Sequence, residues 1–320
     1  MLDDESQSNL RDGSPLVVYV VGTGRSGSSL LDALLNGFDD ITGCGELHRL
    51  SIEPGRRLCS CGVELDKCQF WTRVRSHLAT PNPQTWSDIP IANVPKSRRA
   101  RFERISALLR VATGCFPGPK SQFNDAYELA ITNSDKVIDA IATETGSACV
   151  VDSTKNPLRL MAYSTWSRHD LKCIYLLRDG RAVAHSHVRR AANSWFPALV
   201  RWHWEQVKVR TTLRRSAVET IVVTYEQLCR EPEATIQALR SFLGLPPREL
   251  PALVEDGQHL IPGNPMLFSG FPRIREDVDW RHQMTWWRRV SSVLLSMVLG
   301  SPERVQRLNA THRLESTKSA

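Results

Sequence analysis

Residues 17–29, VVYVVGTGRSGSS, combine an apolar β-branched run with a glycine-rich turn, a pattern suited to holding a phosphate or sulfate on backbone N–H groups. The glycine spacing from Gly22 to Gly27 matches a Walker A loop, but Ser28 stands where the lysine that reaches the β and γ phosphates belongs. Arg25 is the loop's one cation. The anion site is therefore kept while its nucleoside-triphosphate part is not. A second strand, turn and helix follow in residues 172–190, KCIYLLRDGRAVAHSHVRR, where Arg178 ends the apolar run and Ser186 sits on the helix behind it. Together those two side chains could grip a second phosphate.

Two strand-to-helix anion sites without a Walker lysine point to a nucleotide carrying phosphate at both ends. That describes 3′-phosphoadenosine 5′-phosphosulfate, PAPS. Sulfuryl transfer needs a base for the acceptor proton, cations for the moving group and an in-line approach; it requires no metal, because fixed side-chain charges can stabilise the modest charge of the group. Arg25 is placed to bind the sulfate, and Lys155, after the apolar run ACVVDST, falls at a strand's C-terminal edge where open α/β sheets bind ligands.

The segment GTGRSGSSLLDALL resembles the 5′-phosphosulfate loop of sulfotransferases, and LLRDGRAVAHS resembles their 3′-phosphate motif. The arginine-bearing loop is most similar to the branch holding tyrosylprotein sulfotransferases and many bacterial sulfotransferase-like proteins. Ordered similarity runs from about Val17 to Trp280 and is thin over 51–130. The resemblance implies that Arg25, Ser26, Gly27, Ser28 and Ser29 hold the sulfate end of PAPS, with Arg178 and Ser186 on its 3′-phosphate. Lys155, in TKNP, matches a lysine that stabilises the leaving group, and Glu46, in CGE, matches a catalytic base. Tyr225, in YEQL, matches an adenine contact, and Asn264, in GNP, belongs to a loop over the nucleotide. An isolated glutamate near its ordinary pKa is a poor base for a hydroxyl, so burial or neighbours must raise it; His48 is the rival, titrating in a useful range unaided.

Each of these residues also has a plain structural reading. The glycine loop could be a tight turn, Arg178 a surface residue at a strand end, Ser186 a helical serine bonded to its own backbone, Tyr225 a core tyrosine and Lys155 a solvated lysine. The motifs in order favour the donor site. The expected reaction is PAPS-dependent transfer to a hydroxyl or amine acceptor, giving PAP, the 3′,5′-bisphosphate. The acceptor class is open among small molecules, carbohydrates, lipids and peptides. A P-loop nucleotide or small-molecule kinase, or a non-catalytic PAP- or PAPS-binding protein, is the alternative.

The elements that must position these residues read as α/β: a P-loop-type parallel sheet flanked by helices with a helical insertion. Strands are expected from Val17 and over 148–153, 172–177 and 219–225, with helices over 27–36, 124–145, 181–192, 195–215 and 232–243. Residues 1–14 read as a flexible tail, 15–283 as the catalytic domain with an insertion at 51–130 that selects the acceptor, and 284–320 as an amphipathic helix and basic tail. The insertion begins with a cysteine-bearing turn and includes a basic amphipathic helix over 96–111. With 320 residues, 41% hydrophobic, one sizeable core is expected, and a net charge of +7 suits anionic ligands. The arginines are dispersed and no nucleic-acid module appears, so nucleic acid is not an expected partner. The polar N-terminus lacks an apolar signal region, which makes the cytoplasm the expected location. In 284–299, Trp286, Val290, Leu294 and Met297 share a helical face suited to its own core, a second subunit or a membrane interface. Cys44, Cys59, Cys61 and Cys68 cluster, but C-x-C is not the usual paired C-x-x-C, so free thiols are favoured over zinc or disulfides.

Overall fold

A computed structural model describes residues 13–52, 57–78, 83–92, 124–191, 194–251, 258–263 and 274–299. The apolar runs form five parallel strands: β1 (Leu16–Gly22), β2 (Ile41–Gly45), β3 (Cys149–Lys155), β4 (Leu171–Leu177) and β5 (Glu219–Thr224). Their order in the sheet is β2-β3-β1-β4-β5. The chain leaves β1 toward one edge and leaves β4 toward the other, so the topological switch lies between β1 and β4, where open α/β sheets bind ligands.

Alternation along β1 explains both cores. Leu16, Val18 and Val20 face α1 (Ser28–Leu35), α7 (Tyr225–Arg230) and α8 (Pro232–Leu243), whereas Val17, Tyr19 and Val21 face α2 (Gln69–Ser76), α3 (Asn124–Thr145), α4 (Pro157–Trp166) and α6 (Trp195–Ser216). Such two-sided burial is what a parallel sheet requires. α5 (Gly180–Ala191), α6 and α9 (Asp279–Gln283) share a smaller cluster around Trp195 and Trp280.

Five of the described strands and α-helices were not expected from sequence: β2, α2, α4, α7 and α9. β2 is short and contains two glycines; α2 follows the cysteine turn; and α4 starts at Asn156-Pro157, where Asn156 Oδ1 caps Leu158 N at 2.9 Å and proline occupies the first turn. Strand 219–225 needs one correction. It ends at Thr224, because Thr224 and Gln227 form a reciprocal capping box that turns Tyr225 into the first residue of α7. Most of the tail 1–14, the helix expected over 96–111 and the C-terminal residues 300–320 lie outside the described residues. In α10 (Trp286–Leu299), Trp286, Val290 and Leu294 are exposed while Ser292 is buried, so the apolar stripe faces away from its own core; the side chain of Met297 lies outside the described residues. Among the described residues no helix is long and apolar enough to cross a membrane.

A fully buried ion pair lies where β2, β3 and α4 meet. Arg159 Nε donates to Asp152 Oδ2 at 3.2 Å, and its other nitrogens reach Ile91 O (2.9 Å), Ser134 Oγ (2.7 Å) and the Tyr163 hydroxyl (3.2 Å). Asp152 Oδ1 accepts from Leu47 N (3.3 Å) and Thr154 N (3.0 Å). Removing one partner strands the other's charge in the core, so Asp152→Ala should lose about 3–5 kcal/mol in urea unfolding. A loss under about 1 kcal/mol would show the pair to be incidental.

Candidate active site

The C-terminal ends of all five strands open on one cavity of about 620 Å³. Gly24, Arg25, Gly27, Ser28 and Ser29 line it after β1, Glu46 after β2, Lys155 at the end of β3, Arg178 after β4 with Ser186 on α5, and Tyr225 after β5. Thus nine of the predicted site residues, Arg25, Gly27, Ser28, Ser29, Glu46, Lys155, Arg178, Ser186 and Tyr225, come together. Ser26 does not line the cavity: it is buried below the loop. Asn264 lies outside the described residues.

The loop geometry follows from its sequence. Gly27 has φ +94°, and a Cβ there would run into the Tyr225 ring, so only glycine lets α1 begin at Ser28 with its N-terminus toward the cavity. Arg25 also has positive φ, +70°. Arg178 Nη1 donates to Arg25 O at 3.0 Å and Nη2 pairs with Asp277 Oδ2 at 3.2 Å, while its guanidinium stacks 4.2 Å from the Tyr225 ring centroid. The Tyr225 hydroxyl donates to Arg275 O and accepts from Asp277 N, each at 3.1 Å. Tyr225 therefore joins the loop, Arg178 and the 275–277 segment. Arg181 pairs with Asp179 at the surface and does not line the cavity.

Both β2 and β3 carry irregular register around Asp152: Tyr19 and Val21 oppose Asp152 and Lys155, and Gly43 and Gly45 oppose Val151 and Asp152. Such bulges re-aim side chains. Lys155 is turned into positive φ, +66°, and its Nζ donates to Ser28 Oγ (3.0 Å), Glu46 Oε1 (2.9 Å) and Ser153 O (3.0 Å). The cation absent from the loop at position 28 is thus supplied from β3. Glu46 also meets Arg49 Nη1 at 3.1 Å. Burial pushes the Glu46 carboxyl up, but Lys155 and Arg49 outweigh it, so it lies below the ordinary glutamate value, opposite to the upward shift expected of a base. His48 is neutral, its pKa pushed down to about 4 chiefly by burial; its Nδ1 contacts Thr154 Oγ1 at 3.2 Å, and it does not line the cavity.

A model of the sulfotransferase family matches residues 15–249. The chain belongs to the sulfotransferase family. No curated protein matches it. Among solved structures, this sulfotransferase is similar to a sulfotransferase domain of the curacin biosynthetic pathway, with 16% identity over 88% of this chain and 98% of that one, TM-score 0.47. It is also similar to a sulfotransferase domain of the Synechococcus PCC 7002 olefin synthase, with 17% identity over 75% and 77% of the chains, TM-score 0.39. A sulfotransferase from Alicyclobacillus acidocaldarius gives 16% over 88% and 94%, TM-score 0.38.

Several residues lining this sulfotransferase's cavity carry only a faint sequence signal or none. Arg189 follows Ser186 by three positions and so shares its helical face, a signal present in HSHVRR. Arg275, Glu276, Asp277 and Asp279 come from a segment with no phosphate-loop signature. No described residue of 51–130 lines the cavity.

Asp32, four residues beyond Ser28 on α1, is another such residue. It is buried, accepts a hydrogen bond from the Ser153 hydroxyl, and burial raises its pKa from 3.8 to about 7. The unfolded chain releases this proton near pH 3.8 and the folded chain near pH 7, so wild-type stability falls as pH rises through that window. Asp32→Asn should therefore be more stable than wild type at pH 8 by about 1–3 kcal/mol, with the gain vanishing toward pH 4 in denaturant titrations. A difference independent of pH would contradict the raised carboxyl.

Proposed function

We propose that the chain moves a sulfuryl group from PAPS to a hydroxyl or amine acceptor. One observation carries this reading: Lys155 Nζ touches both Ser28 of the anion loop and the Glu46 carboxylate, within the cavity that also holds Arg178 and Ser186. Anion loop, cation and carboxylate thereby meet in one place.

In the proposed reaction the acceptor oxygen or nitrogen forms a bond to sulfur as the bond from sulfur to the phosphate oxygen breaks, and PAP leaves. The 3′-phosphate lies with Arg178, Ser186 and Arg189; the sulfate end lies on the loop with Arg25 and Lys155. The lowered Glu46 is compatible with a base role through competition. An anionic donor on the loop draws Lys155 away from Glu46, burial is then opposed chiefly by Arg49, and the carboxyl moves up from its lowered value, so base strength rises when donor is bound. Fixed cations supply the transition-state stabilisation, which asks for no metal in the transfer itself. The acceptor can be a small molecule, carbohydrate, lipid or peptide.

Calorimetric titration with PAP, beside ATP with Mg²⁺, tests the donor site. PAP should bind, Arg178→Ala/Ser186→Ala should weaken it at least about tenfold, and MgATP should bind more weakly. A preference for MgATP would favour a kinase. Proton uptake on PAP binding, read from calorimetry in buffers of different ionisation enthalpy, should be present in wild type and lost in Glu46→Gln. With labelled PAPS and an acceptor found by screening, Glu46→Gln should bind PAP more tightly than wild type, because Lys155 no longer leaves a carboxylate to meet it, while lowering kcat about 10²–10⁴-fold; full PAP binding with no transfer to any acceptor class would favour a non-catalytic binder.

A further inference from the structure

Away from the cavity, three thiols and one imidazole converge. Cys59 and Cys61 sit on a turn closed by Cys59 N to Val63 O (2.7 Å) and Gly62 N to Cys59 O (2.9 Å), and Cys68 immediately precedes α2, with its N–H on Glu64 O at 2.8 Å. The fourth group, His259, arrives from 191 residues further along. Its Nδ1 lies 3.3 Å from Cys68 Sγ and 3.6 Å from Cys59 Sγ; Cys61 Sγ lies 3.7 Å from Cys68 Sγ; all four atoms are within 4.8 Å of one another. Cys44, grouped with these cysteines by sequence, is elsewhere, its thiol on Val151 O at 2.9 Å.

We propose that Cys59, Cys61, Cys68 and His259 bind a structural Zn²⁺ ion that fastens the cysteine turn and α2 to residues 258–263 beside Glu46. With Zn–S near 2.3 Å and Zn–N near 2.0–2.1 Å, a tetrahedral site needs S···S of about 3.8 Å and S···N of about 3.5 Å. The observed 3.7, 3.6 and 3.3 Å separations fit those values. Three thiolates with one imidazole favour zinc over hard cations, and four protein ligands leave no open position, which makes the site structural. A disulfide accounts for the arrangement less well, because bonding Cys61 to Cys68 would leave Cys59 and His259 aimed at the same point without a role.

The surroundings hold the ligands in place. Ser60, between the first two cysteines, donates through N–H to Leu260 O (3.0 Å) and through Oγ to Gln258 O (2.7 Å), and accepts from Leu260 N (2.9 Å). The His259 ring stacks on Phe70, centroids 5.0 Å apart and 5° from parallel. Two residues on, Ile261 N donates to Cys44 O (2.9 Å) and Ile261 O accepts from Glu46 N (3.0 Å). At Gly45, with φ +73°, a Cβ would collide with the Ile261 backbone, so the strap runs hard against the end of β2. The ion therefore fixes the backbone that fixes Glu46. This site stands independently of the identity of the sulfuryl donor.

Metal analysis of the full-length protein, prepared under reducing conditions with added zinc and then dialysed, should find about one zinc per chain. Replacement with Co²⁺ should give the thiolate-to-cobalt charge-transfer band and the strong visible bands of a tetrahedral site, readable on wild type whether or not any variant folds. Cys61→Ser and His259→Ala should lose the ion, and Cys229→Ser should keep it; chelation should lower Tm. Three outcomes overturn the proposal: wild type with no stoichiometric zinc and no tetrahedral cobalt spectrum, zinc fully retained by a Cys61→Ser/His259→Ala double variant, or a Cys61–Cys68 disulfide found by mass spectrometry in protein purified with its metal.

Discussion

The geometry of the site depends on one buried carboxylate. Asp152 takes a guanidinium on one oxygen and two backbone N–H groups on the other, and those N–H groups belong to Leu47 and Thr154, the immediate neighbours of Glu46 and Lys155. Burying a carboxylate and a guanidinium together costs several kcal/mol of lost hydration for each ion, so the pair is not an efficient source of stability. What it supplies is position. Slipping β2 by one residue against β3 would break the Leu47 N–H bond to a charge inside the core, while the Thr154 N–H bond folds the end of β3 back on Asp152; together they pin the two bulges which aim Lys155 and Glu46 at each other. Tyr19 adds to it from the central strand, its hydroxyl donating to Asn156 O at 2.9 Å and accepting from Asn156 N at 3.0 Å, so that the residue after Lys155 is held as well.

With the backbone fixed in this way, the cavity's electrostatics rest on exchangeable pairings. Lys155 faces Glu46 and Arg178 faces Asp277, so two cations that the proposed donor would use already have carboxylate partners. An incoming anion gains from them only the difference between its own pairing and the one it displaces. Part of that difference comes from geometry, since the loop N–H groups and the α1 N-terminus add attraction to an anion that the carboxylates do not share. The guanidinium of Arg178 meanwhile lies over the Tyr225 ring, 4.2 Å from its centroid, a contact that does not depend on which anion it pairs with.

The anion-loop side of this arrangement was legible in the sequence because it is built from local patterns. A β-branched run, a glycine turn and a helix start are contiguous, and Gly27, Arg178 and Ser186 stand where that grammar puts them. Long helices such as 124–145 and 232–243 announced themselves through periodicity and stop signals. β2 did not, since ITGCG is too short and too rich in glycine to read as a strand; it exists because β3 and Ile261 pair with it. The strand order was equally silent. Tyr225 looked like the end of a strand because its apolar ring continues TIVVT, and only the Thr224–Gln227 capping box shows that the helix has begun. The His259 ligand is the extreme case, for no spacing rule connects a histidine to cysteines 191 to 200 residues earlier.

The same distinction bears on Glu46, whose setting cannot be read from its neighbours in the chain. The sequence places it after a glycine at the end of an unremarked segment, and a base role by analogy asks for a raised pKa. The fold instead gives it a lysine from a strand more than a hundred residues away, and that lysine also touches Ser28, which occupies the position of the missing Walker cation. A lysine carried on the loop itself would stay with the anion and leave the carboxylate alone. One carried on β3, in a left-handed conformation that costs roughly 1 kcal/mol or more, stands between the two and answers to both. Relocating the cation from loop to strand therefore changes more than its address: it gives the carboxylate and the anion loop one cation to share.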